Sequence, residues 1–190
     1  DLEGKIKGSI PLKLDGLHLV SWGGLLATIP LQIGTTIFSD SPSGLEGYVS
    51  NVGGVYISIL LGIMGTSIGR RAQHILFAEE RGDNGERKLV TEGIYSSIRH
   101  PIYLGFRLIS AATVFYNPSV ENLTVSGTVF GISELAARIE EKKMRILYSA
   151  EYNDYVSRVP RWIPKFESIG LFLQEIGKYF KTVIKNPRLY

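Results

Sequence analysis

With 190 residues, a formal net charge of +3 and no cysteine, the chain can form one compact domain or a small helical bundle, and disulfides, thiolate metal sites and cysteine nucleophiles are excluded. Its 44% hydrophobic content is ordinary for a soluble protein, but the charges are segregated along the chain, so that average conceals uncharged stretches of membrane-spanning length. The cations do not interleave with aromatics in one stripe, which argues against a nucleic-acid partner.

No formally charged residue lies between Asp15 and Asp40, or between Glu46 and Arg70, and each gap reaches the ~20 residues that cross a hydrocarbon core. Two membrane spans are expected, Leu17 to Phe38 and Tyr48 to Gly69, with Gly53, Gly54, Gly62 and Gly65 offering small surfaces for close helix approach. A third apolar segment, about Ile98 to Tyr116, and a fourth, about Val120 to Ala137, flank the turn signal Asn117-Pro118-Ser119 and read as a helical hairpin. Arg107 interrupts the one, and Glu121 and Glu134 sit in the other.

Basic residues cluster before the first span, between Arg70 and Arg107, and from Arg138 onward, and are missing from the connections in between. That alternation is what four spans require, with both termini on the cytoplasmic or an equivalent side. The N-terminal lysines are followed by no short apolar core with a small-residue cleavage site, so this stretch is not read as a signal peptide. Asn122-Leu123-Thr124 matches a glycosylation sequon but hugs the expected membrane surface, and should be unmodified. From Ser168 onward, Ile169, Phe172, Leu173, Ile176, Phe180, Val183 and Ile184 recur at helical spacing among Lys178, Lys181 and Lys185. This is an amphipathic helix for a membrane interface or for a protein partner. The expected fold is thus all-α, a polytopic membrane helix bundle of about four transmembrane helices. Residues 1–85 form an N-terminal two-span segment, 86–166 the polar hairpin region and 167–190 the amphipathic helix.

The polar residues concentrate at one mouth of the hairpin. His100, Tyr103 and Arg107 are spaced i, i+3, i+7 and make one stripe, with Pro101 suited to the first helical turn, where its missing N–H costs nothing. Such a helix start attracts anionic groups. Glu134, Arg138 and Glu141 are spaced i, i+4, i+7 on the opposing segment. Folding about Pro118 brings Glu141 level with the residues just before His100, and puts Arg107 within a turn of Glu134. An ion pair is expected there, because an ionisable group inside a bilayer needs a partner or a ligand; a contact from Arg107 to a substrate head group is the alternative. His18 and His74 have no such company and are read as structural or solvated. No histidine pair has metal-ligand spacing, no glycine-rich loop follows a strand, and no serine sits in a glycine elbow.

Two blocks carry a family resemblance. Leu89-Val90-Thr91-Glu92-Gly93-Ile94-Tyr95 leads into Ser96-Ser97-Ile98-Arg99-His100-Pro101-Ile102-Tyr103-Leu104-Gly105. Arg138-Ile139-Glu140-Glu141 is followed by Glu151-Tyr152, Tyr155 and Arg158-Val159-Pro160-Arg161-Trp162-Ile163-Pro164. In order and spacing they resemble the integral-membrane methyltransferases that include isoprenylcysteine carboxyl methyltransferase and the phospholipid N-methyltransferases. The family commonly has Phe-Gly before the Glu-x-Tyr region, where this chain has Tyr148-Ser149.

The resemblance implies S-adenosylmethionine held at the cytosolic face, and a lipidic or prenylated acceptor arriving from the bilayer. By motif position Tyr95, His100 and Tyr103 would line the cofactor pocket, the backbone of Leu89 to Gly93 would contribute, Glu141 would bind a polar part of the cofactor, and Arg161 would orient the acceptor. A carboxylate acceptor needs no general base; an amine acceptor does, and Glu141 is the candidate. Two other readings share the fold. One is a non-catalytic membrane subunit of a larger complex, using residues 1 to 16 and the C-terminal helix as contact surfaces; the other is a sterol-type reductase, which would need a nicotinamide site.

Overall fold

The structure, a computed structural model, describes residues 52–79 and 88–185. The expected first span, Leu17 to Phe38, His18 and the proposed contact surface at residues 1 to 16 lie outside the described residues. Within them the chain is helical and has no strand: α1 (Val52–Glu79), α2 (Pro101–Tyr116), α3 (Val120–Arg158) and α4 (Ile169–Lys185), with 3-10 turns at Gly93–Ser96 and Phe166–Ser168.

One helix among the described residues, α1, is long and apolar enough over Val52–Ala78 to cross a membrane. It presents Tyr56, Ile57, Leu60 and Ile63 outward. It also runs past the expected end at Gly69, because Arg70 and Arg71 bring no helix-stopping signal and Arg71 finds a carboxylate partner on α4. The third segment forms a helix of 16 residues, shorter than the ~20 of a full span. The fourth does not stop near Ala137. Its helix continues to Arg158 and is interrupted only at Ser149, which adopts φ 40° and ψ −107°.

Glycines decide how α1 meets α2. A Cβ built on Gly105 would stand 2.7 Å from the Gly65 carbonyl oxygen and 3.1 Å from the Gly69 Cα. The two backbones therefore touch through Gly65, Gly69 and Gly105, the close crossing that small residues four apart permit. Gly53 and Gly62, expected to serve the same purpose, face open space.

The hairpin turn is closed by its own side chains. Ser119 caps α3 by accepting from the Asn122 N–H at 3.2 Å, and the Asn122 amide donates to the Asn117 carbonyl at 2.9 Å. Asn122 is fully buried, so its sequon offers no acceptor nitrogen to a glycan.

The main apolar core joins Ile68, Ala72 and Ile75 of α1 to Ile94, Ile98 and Ile102 around the first 3-10 turn, and to Phe172 and Ile176 of α4. Each large side chain buried there contributes ~1.5–3 kcal/mol. Gly93 holds φ +58°, and a Cβ on it would meet Ile75 Cδ1 at 2.5 Å, so the turn needs glycine for conformation and for space. One face of α4 is thereby committed to the chain's own core.

Candidate active site

His100 is the residue just before α2, with Pro101 opening the helix as its fixed φ favours. The extended segment before it is tied to the far end of α3. Arg99 N–H donates to the Pro160 carbonyl at 3.0 Å, the Arg99 guanidinium donates to the Val156 and Val159 carbonyls at 3.1 Å each, and the Tyr155 hydroxyl donates to the Tyr95 carbonyl at 2.7 Å. These bonds tie residues 95–99 to residues 155–160 and so set the start of α2 beside Arg161 and Trp162.

Glu141 is the centre. Its carboxylate lies 3.1 Å from His100 Nε2 and 3.1 Å from the Arg99 guanidinium, and it accepts two bonds from Arg161, at 2.8 and 2.7 Å. Burial by itself opposes its ionisation, but the hydrogen bonds from His100 and Arg161 and the charges of Arg99 and Arg161 outweigh that and hold its carboxyl well below the usual carboxylate range. His100 is gripped on both sides, with Nδ1 3.6 Å from Glu140. Burial works against its protonation, yet the bonds and charges of Glu140 and Glu141 prevail and raise its pKa above 6.5. The imidazole also stacks on Tyr103, ring centroids 5.7 Å apart, and lies 5.5 Å from the Trp162 ring.

Glu134 forms a second hub one helical stretch away. It accepts from Arg161 at 2.9 Å, Arg138 at 2.9 Å, Trp162 Nε1 at 3.1 Å and Arg107 at 3.3 Å, so the expected Arg107–Glu134 pair is present. Arg107 is buried and donates as well to Ser133 Oγ at 2.7 Å and to the Phe130 carbonyl, and its guanidinium carbon lies 3.6 Å from the Trp162 ring centroid. Such stacking suits a delocalised cation better than an ammonium. Arg161 spans the two hubs, so the carboxylates and cations form one continuous network.

The structure therefore gathers His100, Tyr103, Arg107, Glu141 and Arg161, all nominated by sequence. It places the other three elsewhere. Leu89 packs on the Tyr152, Tyr155 and Val159 cluster, Gly93 turns against Ile75 and Glu175, and the Tyr95 ring joins the main core with its hydroxyl 3.5 Å from the Ala72 carbonyl. Trp162, Glu140 and Arg99 were not nominated. Their signal was present, since each adjoins a nominated residue in the two motif blocks. No group of His, Asp or Glu among the described residues is arranged to hold a metal ion.

These features define a helical protein in which one helix has membrane-spanning length and a buried network of paired charges sits where α2 begins. The profile of the phospholipid methyltransferase family matches residues 52–151, and the chain belongs to that family. It is similar to protein-S-isoprenylcysteine O-methyltransferase B of Arabidopsis thaliana, 33% identical over 79 residues, and to protein-S-isoprenylcysteine O-methyltransferase of Schizosaccharomyces pombe, 29% identical over 97 residues. The matches cover 40% and 50% of this chain, and span about 40% of the length of each relative. No solved structure matches it.

Proposed function

We propose that the chain is an integral-membrane methyltransferase that uses S-adenosylmethionine to methylate a lipidic or prenylated acceptor, with both termini on the cytoplasmic or equivalent side. The observation that carries this reading is the meeting of His100 and Arg161 on the Glu141 carboxylate, from three separate stretches of the chain.

The donor set suits the cofactor's amino-acid end. A carboxylate can be received by Arg99 and an ammonium by Glu141 or Glu140, and Tyr103 lies beside His100 with an aromatic ring of the kind that accepts a cation. Ser97 Oγ and Arg99 Nε are buried with no hydrogen-bond partner among the described residues, polar capacity that a ligand can use. When bound, S-adenosylmethionine supplies a methyl group on a sulfonium. The chain's own contribution is to orient the two reactants and to shield them from water, which is where much of the rate of a displacement originates.

The charge states favour a carboxylate acceptor over an amine. Glu141 is held ionised, with its carboxyl well below the usual carboxylate range, and both ring nitrogens of His100 are engaged by Glu140 and Glu141, so neither is free to act as a general base. An acceptor carboxylate is already ionised and needs none. Arg161 can hold it bidentately after exchanging a bond with Glu134, and Arg107 waits one position deeper. This accords with the O-methylation in the names of the two relatives.

The test is binding of labelled S-adenosylmethionine to the purified full chain in detergent, followed by methyl transfer to an S-prenylated cysteine or to an aminophospholipid. Saturable binding, weakened about ten- to hundredfold by Glu141→Gln through loss of charge-assisted bonds, and transfer to the prenylcysteine carboxylate are expected. The internal pairing of the network also favours a second reading, a non-catalytic subunit in which these charges only hold segments together; absence of binding by a folded chain would select it.

A further inference from the structure

The C-terminal helix has a second apolar face that the fold leaves uncovered. Phe172 and Ile176 of α4 pack into the core, and Glu175 is buried against Arg71 at 2.8 Å and also pairs with Lys178. Ile169, Leu173, Phe180 and Ile184 stand at i, i+4, i+11 and i+15, which at ~100° per residue is one stripe about a sixth of the helix circumference wide. All four are exposed, Leu173 to 57% and Ile184 to 80%. Beyond that stripe, on the side away from the core, come Lys178, Lys181 and Lys185, exposed as well. Leu171 is the one exposed apolar residue of α4 on the lysine side.

The place of α4 says what covers the stripe. It docks on the last turns of α1, beside Ile68, Ala72 and Ile75, at the end that bears Arg70 and Arg71. In a membrane-spanning α1 that cationic end lies at the cytoplasmic boundary. A helix fastened sideways there presents its next face to the acyl chains, and its lysines lie at headgroup level, where each attracts anionic lipid. A protein partner would have no need of the cationic flank.

We infer that α4 lies in the membrane interface, its Ile169–Leu173–Phe180–Ile184 stripe sunk into the acyl boundary and its lysines on anionic headgroups. It fixes the depth at which the 3-10 turn of Gly93–Ser96, packed between α1 and α4, meets the bilayer. The inference rests on the placement of α1 in a membrane and stands whether or not the chain is catalytic.

Because the chain has no cysteine, single substitutions give unique sites for a fluorophore. The full chain carrying Leu60→Cys, Leu173→Cys or Gln174→Cys is reconstituted into bilayers containing brominated phosphatidylcholine or brominated phosphatidylglycerol. Quenching at 60 by either lipid reports that α1 is embedded. The expected result is quenching at 173 but not at 174, stronger with the anionic lipid at low salt, with that preference lost in Lys181→Glu/Lys185→Glu. With 60 quenched, an unquenched label at 173 would overturn the inference, as would equal quenching by the two lipids. Shielding of 173 that grows with the protein-to-lipid ratio would assign the stripe to a second copy and overturn it too.

Discussion

Ser149 is the one described residue other than glycine with positive φ, and it stands where the resembling family commonly has glycine. At φ 40° and ψ −107° an L side chain is crowded against its own backbone, and residues held in such regions carry ~1–3 kcal/mol of strain. Glycine removes that strain but widens the unfolded ensemble, a loss of ~0.5–1 kcal/mol. The serine side chain is exposed, so no packing is forfeited. Ser149→Gly should therefore stabilise the protein by ~0–2.5 kcal/mol, the difference of the two, and by about 1 kcal/mol at mid-range. Denaturant unfolding of the purified chain in detergent reads this as a raised midpoint at unchanged slope. Ser149→Ala, which keeps the Cβ and loses only the hydroxyl, should leave the midpoint where it was. If glycine proves destabilising, the break in α3 is relaxed, and the account of strain at this joint is wrong.

Gly105→Ala should cost ~1–3 kcal/mol, the usual penalty of overpacking, because the new methyl meets backbone atoms of Gly65 and Gly69 that cannot rotate away. It should also weaken cofactor binding by shifting the helix that begins at His100, whereas Gly62→Ala, which meets nothing within 4 Å, should be neutral or stabilising; comparison of unfolding midpoints decides. Stability should vary with pH through His100. Its pKa is raised in the folded chain, so its contribution is complete below the ordinary value of 6.5 and is lost as pH rises through the folded value. Glu141, with its pKa depressed, contributes above the usual carboxylate range and loses that contribution only in strong acid. Unfolding midpoints measured across neutral to alkaline pH should fall for the parent and be flatter for His100→Gln; equal slopes would mean that the imidazole is not held charged.

What the sequence by itself determined was local. Pro101 opens α2 and Asn117-Pro118-Ser119 turns the hairpin, because helix starts and turns are chosen by residues within a few positions of one another. The opposition of Arg107 to Glu134, and of His100 to Glu141, was legible too, since two helices joined by a short turn keep level positions level. The end of α3 was not legible. The apolar run stops near Ala137, and on the charged stretch beyond it that stays helical Glu141 pairs with Arg99 and Arg161, cations brought from elsewhere.

Tertiary structure alone decided the pairings across long separations. Arg71 meets Glu175 across 104 positions, Gly65 and Gly69 rather than Gly53 and Gly62 receive α2, and the apolar positions of α4 divide into a packed face and an exposed one. Periodicity reveals which residues share a helix face but not the angle and height at which two helices cross. Those follow from how side chains and glycine gaps interlock once both surfaces are in contact.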